Sequence, residues 1–380
     1  MASKVEASHS WSSEVFMGVF THLWERNFYS EFAYPMDLDL GPLIKQLKHG
    51  KKPDIQPINT FNYTYKKLCL NKCPNGQDVD LLFVIKSAMN NFQRRRAIRA
   101  TWGEENRFSD ISVRRVFLLG TGPNTDDIQR SIDAEDEEFG DIVQSDFMDS
   151  YYNNTLKTMS GFRWVVEHCP RARYTVFTDD DMYISTRNIL LFLQSPSSYP
   201  DVSDDAAQSI VRDGEHRERS LKQQVDLEDY DSPKHEDDGQ LSFDLEGRLG
   251  EDSLKLFAGF LFHSSPLRHK SSKWYVSLEE YPFNMWPPYI TAGAYALSRS
   301  ALIDLYYGSY YTKYFRFDDI FLALVAQKAN VKPMHCPEFH SYWKKGYSKD
   351  EYRHVIASHG YDDPDELVRV WNEQKSLGYA

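Results

Sequence analysis

The chain has 380 residues, of which 41% are hydrophobic and 26% charged, and its formal net charge is −12 at pH 7. This balance is ordinary for a folded protein and leaves room for one large domain or two small ones. Nucleic-acid binders present a basic face. The only dense basic cluster here is Arg94-Arg95-Arg96 with Arg99, so we expect no nucleic-acid partner.

Residues 1–78 contain scattered proline and glycine and little periodicity, and they predict an N-terminal stem. An apolar run at residues 15–20 is too short for a membrane-spanning helix, which needs about 20 apolar residues. No basic segment precedes this run, as one would in a signal peptide. The sequons at Asn62 and Asn153 are weak indicators of the secretory pathway.

The chain has four cysteines, Cys69, Cys73, Cys169 and Cys336. Their spacing does not fit a four-thiolate zinc site, because no second pair follows Cys69 and Cys73 at a suitable distance. Two alternatives stay open: free buried thiols, or as many as two disulfides with a pairing that spacing does not determine.

From residue 79 onward, buried strands alternate with helices. Apolar runs predict strands at residues 81–85, 116–120, 174–177 and 295–297. Amphipathic spacing and end signals predict helices at 94–102, 126–138, 154–168, 299–306, 318–329 and 364–375. This alternation predicts an α/β domain over residues 79–380 with a mostly parallel sheet.

Residues from about 196 to 252 interrupt the alternation, because they are rich in acidic residues and poor in aromatic ones. Such a composition buries too little apolar surface to order itself. It predicts a disordered acidic insertion in a surface loop, with an interaction arm as the alternative.

Three consecutive aspartates, Asp179, Asp180 and Asp181, follow the strand at 174–177. Ligands of open α/β sheets bind beyond the carboxyl ends of the strands. Adjacent carboxylates repel one another unless a cation is present. Alternate members, Asp179 and Asp181, can face the same side and hold Mg²⁺ or Mn²⁺, which prefer oxygen ligands. A solvated acidic turn is the alternative.

Further candidates each have a structural and a functional interpretation. Asp318 and Asp319 begin a predicted helix, where aspartate serves as a cap or as a general base toward a sugar hydroxyl. The arginine cluster suits either phosphate oxygens or a solvated basic face. The loop Trp286-Pro287-Pro288-Tyr289 forms either a packed turn or a platform for a sugar.

The order of these segments resembles the β-1,3-glycosyltransferase family. The matching blocks are Arg94-Arg95 with Ile98-Arg99 and Trp102-Gly103, residues 117–120, residues 146–151 with 154–158, Asp179-Asp180-Asp181, Pro287-Pro288-Tyr289 with Gly293, and Asp318-Asp319-Ile320. The segments at 21–28, 264–270, 273–283 and 355–359 are similar to one branch of that family, whose members transfer N-acetylglucosamine to a mannosyl glycolipid.

The resemblance implies a GT-A fold and an inverting mechanism. By position, Asp179, Asp181 and His359 would bind the metal and Asp319 would be the catalytic base. The nucleotide site would be lined by Arg95, Arg99, Lys157, Asp179 and Asp180. The donor or acceptor sugars would lie near Trp286, Tyr289 and Glu280.

The same resemblance implies Mn²⁺ or Mg²⁺ as cofactor, UDP-GlcNAc as donor and the Man-β1,4-Glc-ceramide glycolipid as acceptor. UDP-galactose as donor is the alternative within the same class, and a catalytically silent sugar-binding or assembly protein is the alternative outside it. Family members are anchored in the Golgi membrane with a lumenal catalytic domain, so we expect that location here.

Two features depart from the family pattern. Asp318 stands where the family has glutamate. The similarity resumes at Thr21, where the anchor of a family member would have ended. We therefore expect that the anchor has been lost or replaced in this chain.

Overall fold

The computed structural model describes residues 24–33, 38–73, 77–123, 126–201 and 255–380. Its strands are β1 (Tyr65–Lys67), β2 (Val79–Lys86), β3 (Val113–Thr121), β4 (Ile142–Met148), β5 (Ala172–Asp179), β6 (Tyr183–Ile184), β7 (Phe257–Phe262), β8 (Tyr289–Ser298), β9 (Met334–His335), β10 (Phe339–His340) and β11 (Ala357–Ser358). Its α-helices are α1 (Phe28–Glu31), α2 (Gly41–Lys48), α3 (Phe92–Arg99), α4 (Asp126–Phe139), α5 (Asn154–His168), α6 (Thr186–Gln194), α7 (Arg299–Ser309), α8 (Asp318–Ala329) and α9 (Pro364–Ser376).

An eight-stranded sheet with the order β1-β4-β3-β2-β5-β8-β7-β9 forms the centre of the fold. Strands β4, β3, β2 and β5 are parallel, whereas β1 and β8 run antiparallel to their neighbours β4 and β5. The carboxyl ends of the four parallel strands therefore meet at one edge of the sheet, which we call the carboxyl edge. Strand β8 begins at this edge because it runs in the opposite direction. A small second sheet has the order β10-β11-β6.

The central strands are apolar because helices cover both faces of the sheet. In β2 only Asp80 among eight residues is not buried, as expected for a parallel strand in the middle of an α/β fold. One apolar core includes residues of α2, α5, α7 and α8, and the other includes residues of α3, α6 and α9. On the first face, a Cβ at Gly161 of α5 would lie 2.6 Å from Leu118 Cδ1, so glycine there permits close packing of helix on sheet.

The predicted fold class, α/β with a mostly parallel central sheet, is confirmed. The helices expected at 154–168 and 318–329 have those bounds, and the helix expected at 94 begins two residues earlier. Strand β4 was missed because its apolar start is followed by Gln144, Ser145 and Asp146. The first two of these are buried, and Asp146 accepts hydrogen bonds from Thr64.

The boundary expected at residue 78 differs from the structure, because residues 38–73 are part of the folded domain and not a separate stem. Leu40, Leu43 and Ile44 are buried in the first core, and β1 extends the central sheet by pairing with β4. Farther upstream, Arg26 exchanges backbone hydrogen bonds with the loop at Pro282 and Asn284. Leu40, Leu43 and Ile44 have the spacing of an amphipathic helix, so the sequence does carry a signal here, but it extends over only one short helix.

The cysteine question left open by spacing is answered by one disulfide, Cys73–Cys169, while Cys69 and Cys336 are free. This disulfide ties the segment before β2 to the residue that follows α5. The predicted acidic insertion at 196–252 lies almost entirely outside the described residues. The apolar run at 15–20 lies entirely outside them. Within the described part of the chain, no helix is both long and apolar enough to cross a membrane.

Replacing Cys73 and Cys169 with serine is expected to lower the free energy of unfolding by about 2–5 kcal/mol, because the bond closes a long loop in the unfolded chain. The sequence separation of 96 residues places the effect toward the upper end. Denaturant titration measures it. The matched control is Cys69→Ser, since a serine hydroxyl can keep the 2.7 Å bond that the Cys69 thiol donates to the Gly140 carbonyl. Equal stability of the double variant and the control would contradict the prediction.

Candidate active site

The carboxyl edge brings Asp179 and Asp181 together with His359, which is remote in sequence. Asp179 ends β5, and Asp181 lies in the turn that leads to β6. Strand β6 pairs with β11 so that Tyr183 lies opposite Ser358. This pairing places His359 beside the turn, with its Nε2 3.5 Å from Asp181 Oδ2. Two of the predicted metal ligands, Asp181 and His359, are therefore neighbours, and Asp179 ends the strand that leads to them.

The other oxygen of Asp181, Oδ1, is buried and has no hydrogen-bond partner among the described residues. A buried acceptor without a partner is costly, and a bound cation would satisfy it. Asp179 retains 35% of its side-chain exposure and is thus open to a ligand. Burial raises the pKa of Asp179 to about 6; the Lys86 cation opposes the rise, and Asp181 and Asp318 add to it.

Asp180 points inward, unlike its two neighbours, and is 5% exposed. Its carboxylate accepts hydrogen bonds from Ser87 Oγ at 2.6 Å, from Asn91 Nδ2 at 2.9 Å and from Arg94 Nη1 at 2.9 Å. Because protein donors already occupy both oxygens of Asp180, this geometry does not support the predicted contact between Asp180 and the cofactor. Asp180 instead holds the loop between β2 and α3 against the end of β5.

Lys86, the last residue of β2, connects two of the acidic groups. Its Nζ lies 3.1 Å from Asp179 Oδ1 and 3.0 Å from Asp318 Oδ2, and it donates to the Ala292 carbonyl at 3.2 Å. Burial alone would lower the pKa of Lys86, but the carboxylates of Asp179 and Asp318 outweigh it and raise that pKa above its usual range. Lys86 was not predicted from the sequence, although a lysine at the end of an apolar strand run is the signal that could have found it.

The start of α8 separates the roles of Asp318 and Asp319. Asp318 is buried and accepts hydrogen bonds from Lys86 and, at 2.8 Å, from the Thr158 hydroxyl. Asp319 is partly exposed, and its Oδ1 accepts a 2.8 Å bond from the amide of Ile320. Burial and the neighbouring Asp318 carboxylate raise the pKa of Asp319 to about 7. A carboxyl group with that pKa can take up and release a proton near neutral pH.

The basic residues expected to line the nucleotide site lie in the interior. Arg95 is fully buried, pairs with Glu135 and donates to the Ala88 carbonyl at 2.7 Å. Arg99 pairs with Glu135 and Asp141, each at 2.7 Å. This geometry corrects the expected direct phosphate contact of both arginines, because their donors are already used.

Lys157 is also buried and is used in a similar way. Its Nζ lies 2.6 Å from Asp149 Oδ1 and donates to the Ser87 carbonyl at 2.8 Å. It therefore fixes the ends of β4 and β2 relative to each other. We assign it a positioning role at the edge instead of the nucleotide contact that was expected.

The predicted sugar-side residues divide into core and surface. Trp286 is 6% exposed and packs against Tyr281 at a ring-centroid distance of 4.2 Å, so the packed-turn interpretation applies to it and the sugar platform does not. Tyr289 is partly buried, with its hydroxyl 3.1 Å from Ser264 Oγ, and lies at the start of β8 on the carboxyl edge. Glu280 pairs with Arg316, two residues before Asp318.

The fold and the edge together define an α/β protein with an acidic ligand site at the carboxyl ends of its parallel strands. The galactosyltransferase family model matches residues 93–237 and 237–337. Beta-1,3-galactosyltransferase brn of Drosophila melanogaster is 40% identical over 365 residues, which cover 96% of this chain and 93% of the relative. Human beta-1,3-galactosyltransferase 1 is 29% identical over 322 residues, covering 84% of this chain and 81% of the relative.

The chain belongs to the galactosyltransferase family and is a hexosyltransferase. Among solved structures, the galactosyltransferase LgtC matches with a TM-score of 0.33 and 10% identity over 77% of this chain and 95% of that one. Mouse xyloside xylosyltransferase 1 matches with a TM-score of 0.30 and 10% identity, covering 75% and 98%. Similarity at this level carries no argument about the site.

Replacing Arg99 with methionine is expected to lower stability by about 3 kcal/mol, because it leaves buried carboxylates short of a partner, and to leave UDP affinity unchanged. Thermal unfolding and calorimetric titration with UDP and Mn²⁺ measure the two effects. The control is Asp181→Asn, which should weaken UDP binding with little change in stability. A large loss of UDP affinity in folded Arg99→Met protein would instead support the direct phosphate contact that was predicted from the sequence.

Proposed function

We propose that the chain transfers one N-acetylglucosamine from UDP-GlcNAc, in β-1,3 linkage, to a mannosyl glycolipid of the Man-β1,4-Glc-ceramide type. The observation that carries the proposal is the placement of Asp319. A partly exposed carboxyl with a pKa of about 7 lies at the same edge as the Asp179 and Asp181 pair, linked to it by Lys86 and Asp318. This placement supports the proposal, because a glycosyl transfer needs a donor site and a base next to each other.

The donor set fits a divalent cation such as Mn²⁺ or Mg²⁺. Asp179, Asp181 and His359 would hold it, and the buried Asp181 Oδ1 without a partner is a ready ligand atom. In the described ranges, no three His, Cys, Asp or Glu side chains are placed to hold a metal ion by themselves, and this includes the three named here, so diphosphate oxygens and water would have to supply much of the coordination. When bound, the cation stabilises negative charge on the departing UDP.

The residues of the chain supply the proton transfer and the orientation. Asp319 takes the proton from the acceptor hydroxyl while that oxygen bonds to the anomeric carbon and the bond to UDP breaks on the opposite face. Attack opposite an α-linked UDP gives a β product. A single base is sufficient, whereas a glycoside hydrolase needs a second carboxyl group as the acid that protonates its leaving group.

UDP-galactose is the second candidate donor, and the observation that favours it is the relatives' names: both the Drosophila and the human relative are called beta-1,3-galactosyltransferases. We further propose a Golgi membrane location with a lumenal catalytic domain. The Cys73–Cys169 disulfide supports this location, since disulfides persist in oxidising compartments such as the secretory pathway.

The test is UDP release and product formation by the purified chain with Mn²⁺, with UDP-GlcNAc and UDP-galactose in separate arms and a β-mannoside as acceptor. Asp319→Asn is expected to lower kcat by roughly 10²–10⁴-fold, the usual contribution of a positioned base, and to retain UDP binding. The matched control is Asp365→Asn, since Asp365 also lies in the first turn of a helix. Preference for UDP-galactose would replace the donor. Transfer that is unchanged in Asp319→Asn would overturn Asp319 as the base, and no transfer by the wild-type chain with either donor would favour a sugar-binding protein without catalysis.

The pH dependence of kcat/KM should show the titration of Asp319. A base with a raised pKa of about 7 is active above that pH, so kcat/KM is expected to fall roughly tenfold per unit as the pH drops below it. Initial rates at saturating Mn²⁺ measure the profile. A profile that stays flat down to pH 5 would contradict the assignment of Asp319 as the base.

A further inference from the structure

An exposed pair of aromatic side chains lies at the carboxyl edge beside the base. Tyr151 is 47% exposed and Trp274 is 44% exposed. The Trp274 Nε1 donates a 2.8 Å hydrogen bond to the Tyr151 hydroxyl, so the two rings are fixed relative to each other. Large aromatic rings that stay exposed and ordered are typical of binding surfaces.

Backbone and side-chain connections hold this pair next to Asp319. Tyr151 begins the 3₁₀ turn Tyr151–Asn153, which follows the carboxyl end of β4. On the other side, Arg316 donates to the Tyr275 carbonyl and pairs with Glu280. The segment that carries Trp274 is therefore bound to the residues immediately before Asp318 and Asp319. In agreement, the pKa of the Tyr151 hydroxyl is raised, chiefly by burial, and the Asp319 charge is among the groups that raise it further.

Lys273 completes the chemistry of the surface. Its Nζ lies 4.4 Å from the centroid of the Trp274 ring and 5.2 Å from that of Tyr151, within the range of cation–π attraction. A hexopyranose has one face of C–H groups, which packs on an aromatic ring, and a rim of hydroxyls, which bond to polar groups such as an ammonium. The combination of two rings and one ammonium matches a neutral sugar ring.

We propose that Tyr151, Trp274 and Lys273 form the platform that binds the terminal pyranose of the acceptor. This assignment rests on the proposed function and extends it by naming the acceptor subsite. In the proposed function, Asp179 and Asp181, after β5, would hold the diphosphate of the donor through a divalent cation. The platform belongs to the elements that flank Asp319, where the acceptor hydroxyl has to lie. Trp286, which the family resemblance placed near the sugars, is buried, so the platform is assigned to Trp274.

Trp274→Ala is expected to raise the acceptor KM about tenfold, the loss expected for one aromatic contact. The donor KM, and the slow hydrolysis of UDP-GlcNAc without acceptor, should stay unchanged. Trp274→Phe keeps a ring and should recover most of the effect. The matched control is Trp24→Ala, because Trp24 is an even more exposed tryptophan. An unchanged acceptor KM in Trp274→Ala, or an equal rise in donor and acceptor KM, would overturn the platform.

Direct binding separates failure of the platform from failure of the proposed function. Methyl β-mannoside is titrated into the wild-type chain and Trp274→Ala, and binding is followed by saturation-transfer NMR with folding checked by thermal unfolding. We expect binding to the wild type and a loss of about tenfold in the variant. Equal binding by both, or no binding by the wild type, would overturn the platform. If binding depends on Trp274 but no sugar is transferred, the platform is retained and the proposed transfer reaction is contradicted.

Discussion

Charge compensation at the carboxyl edge is the constraint on which the rest of the site depends. Asp179, Asp180, Asp181, Asp318 and Asp319 lie at this one edge of a largely apolar sheet, and unpaired buried carboxylates are strongly unfavourable. The chain meets this constraint unequally. Asp180 and Asp318 receive protein partners, Arg94 and Lys86 respectively. Asp319 and one oxygen of Asp181 do not receive a cation of comparable proximity in the described residues, which is why we propose that a substrate proton and a metal ion bind at these two positions.

Two buried basic residues behind the carboxyl edge, Arg95 and Lys157, hold the loop that follows β2. Arg95 bonds to the Ala88 carbonyl and to Ser87 Oγ, and Ser87 in turn donates to Asp180. Lys157 bonds to the Ser87 carbonyl from the opposite side. The loop after β2 is thus held by two buried cations. They would position this side of the proposed donor site without contacting the donor. A family motif of basic residues can therefore mark a nucleotide site by shaping it.

The location of the acidic side chains at the carboxyl edge could be predicted from the sequence because it follows from strand direction. Asp179 and Asp181 come after an apolar run, and parallel strands end at one edge. The partners of the basic residues could not be predicted, since a phosphate and a buried carboxylate select the same guanidinium. Trp286 shows a similar ambiguity: an aromatic residue next to prolines suits both a core and a sugar site, and its burial is decided by Tyr281 and Phe315, which no local pattern connects to it.

The replacement of the family's glutamate by Asp318 has a structural consequence at the base. The shorter side chain still reaches both Lys86 Nζ at 3.0 Å and the Thr158 hydroxyl at 2.8 Å. Its charge therefore stays fixed on the interior side of α8, directly before Asp319. A fixed negative neighbour raises the pKa of a carboxyl group, as it does for Asp319. In this position Asp318 has two roles. It joins α8 to β2 through Lys86, and it raises the pKa of Asp319 into the range in which the proposed base would remove a hydroxyl proton efficiently.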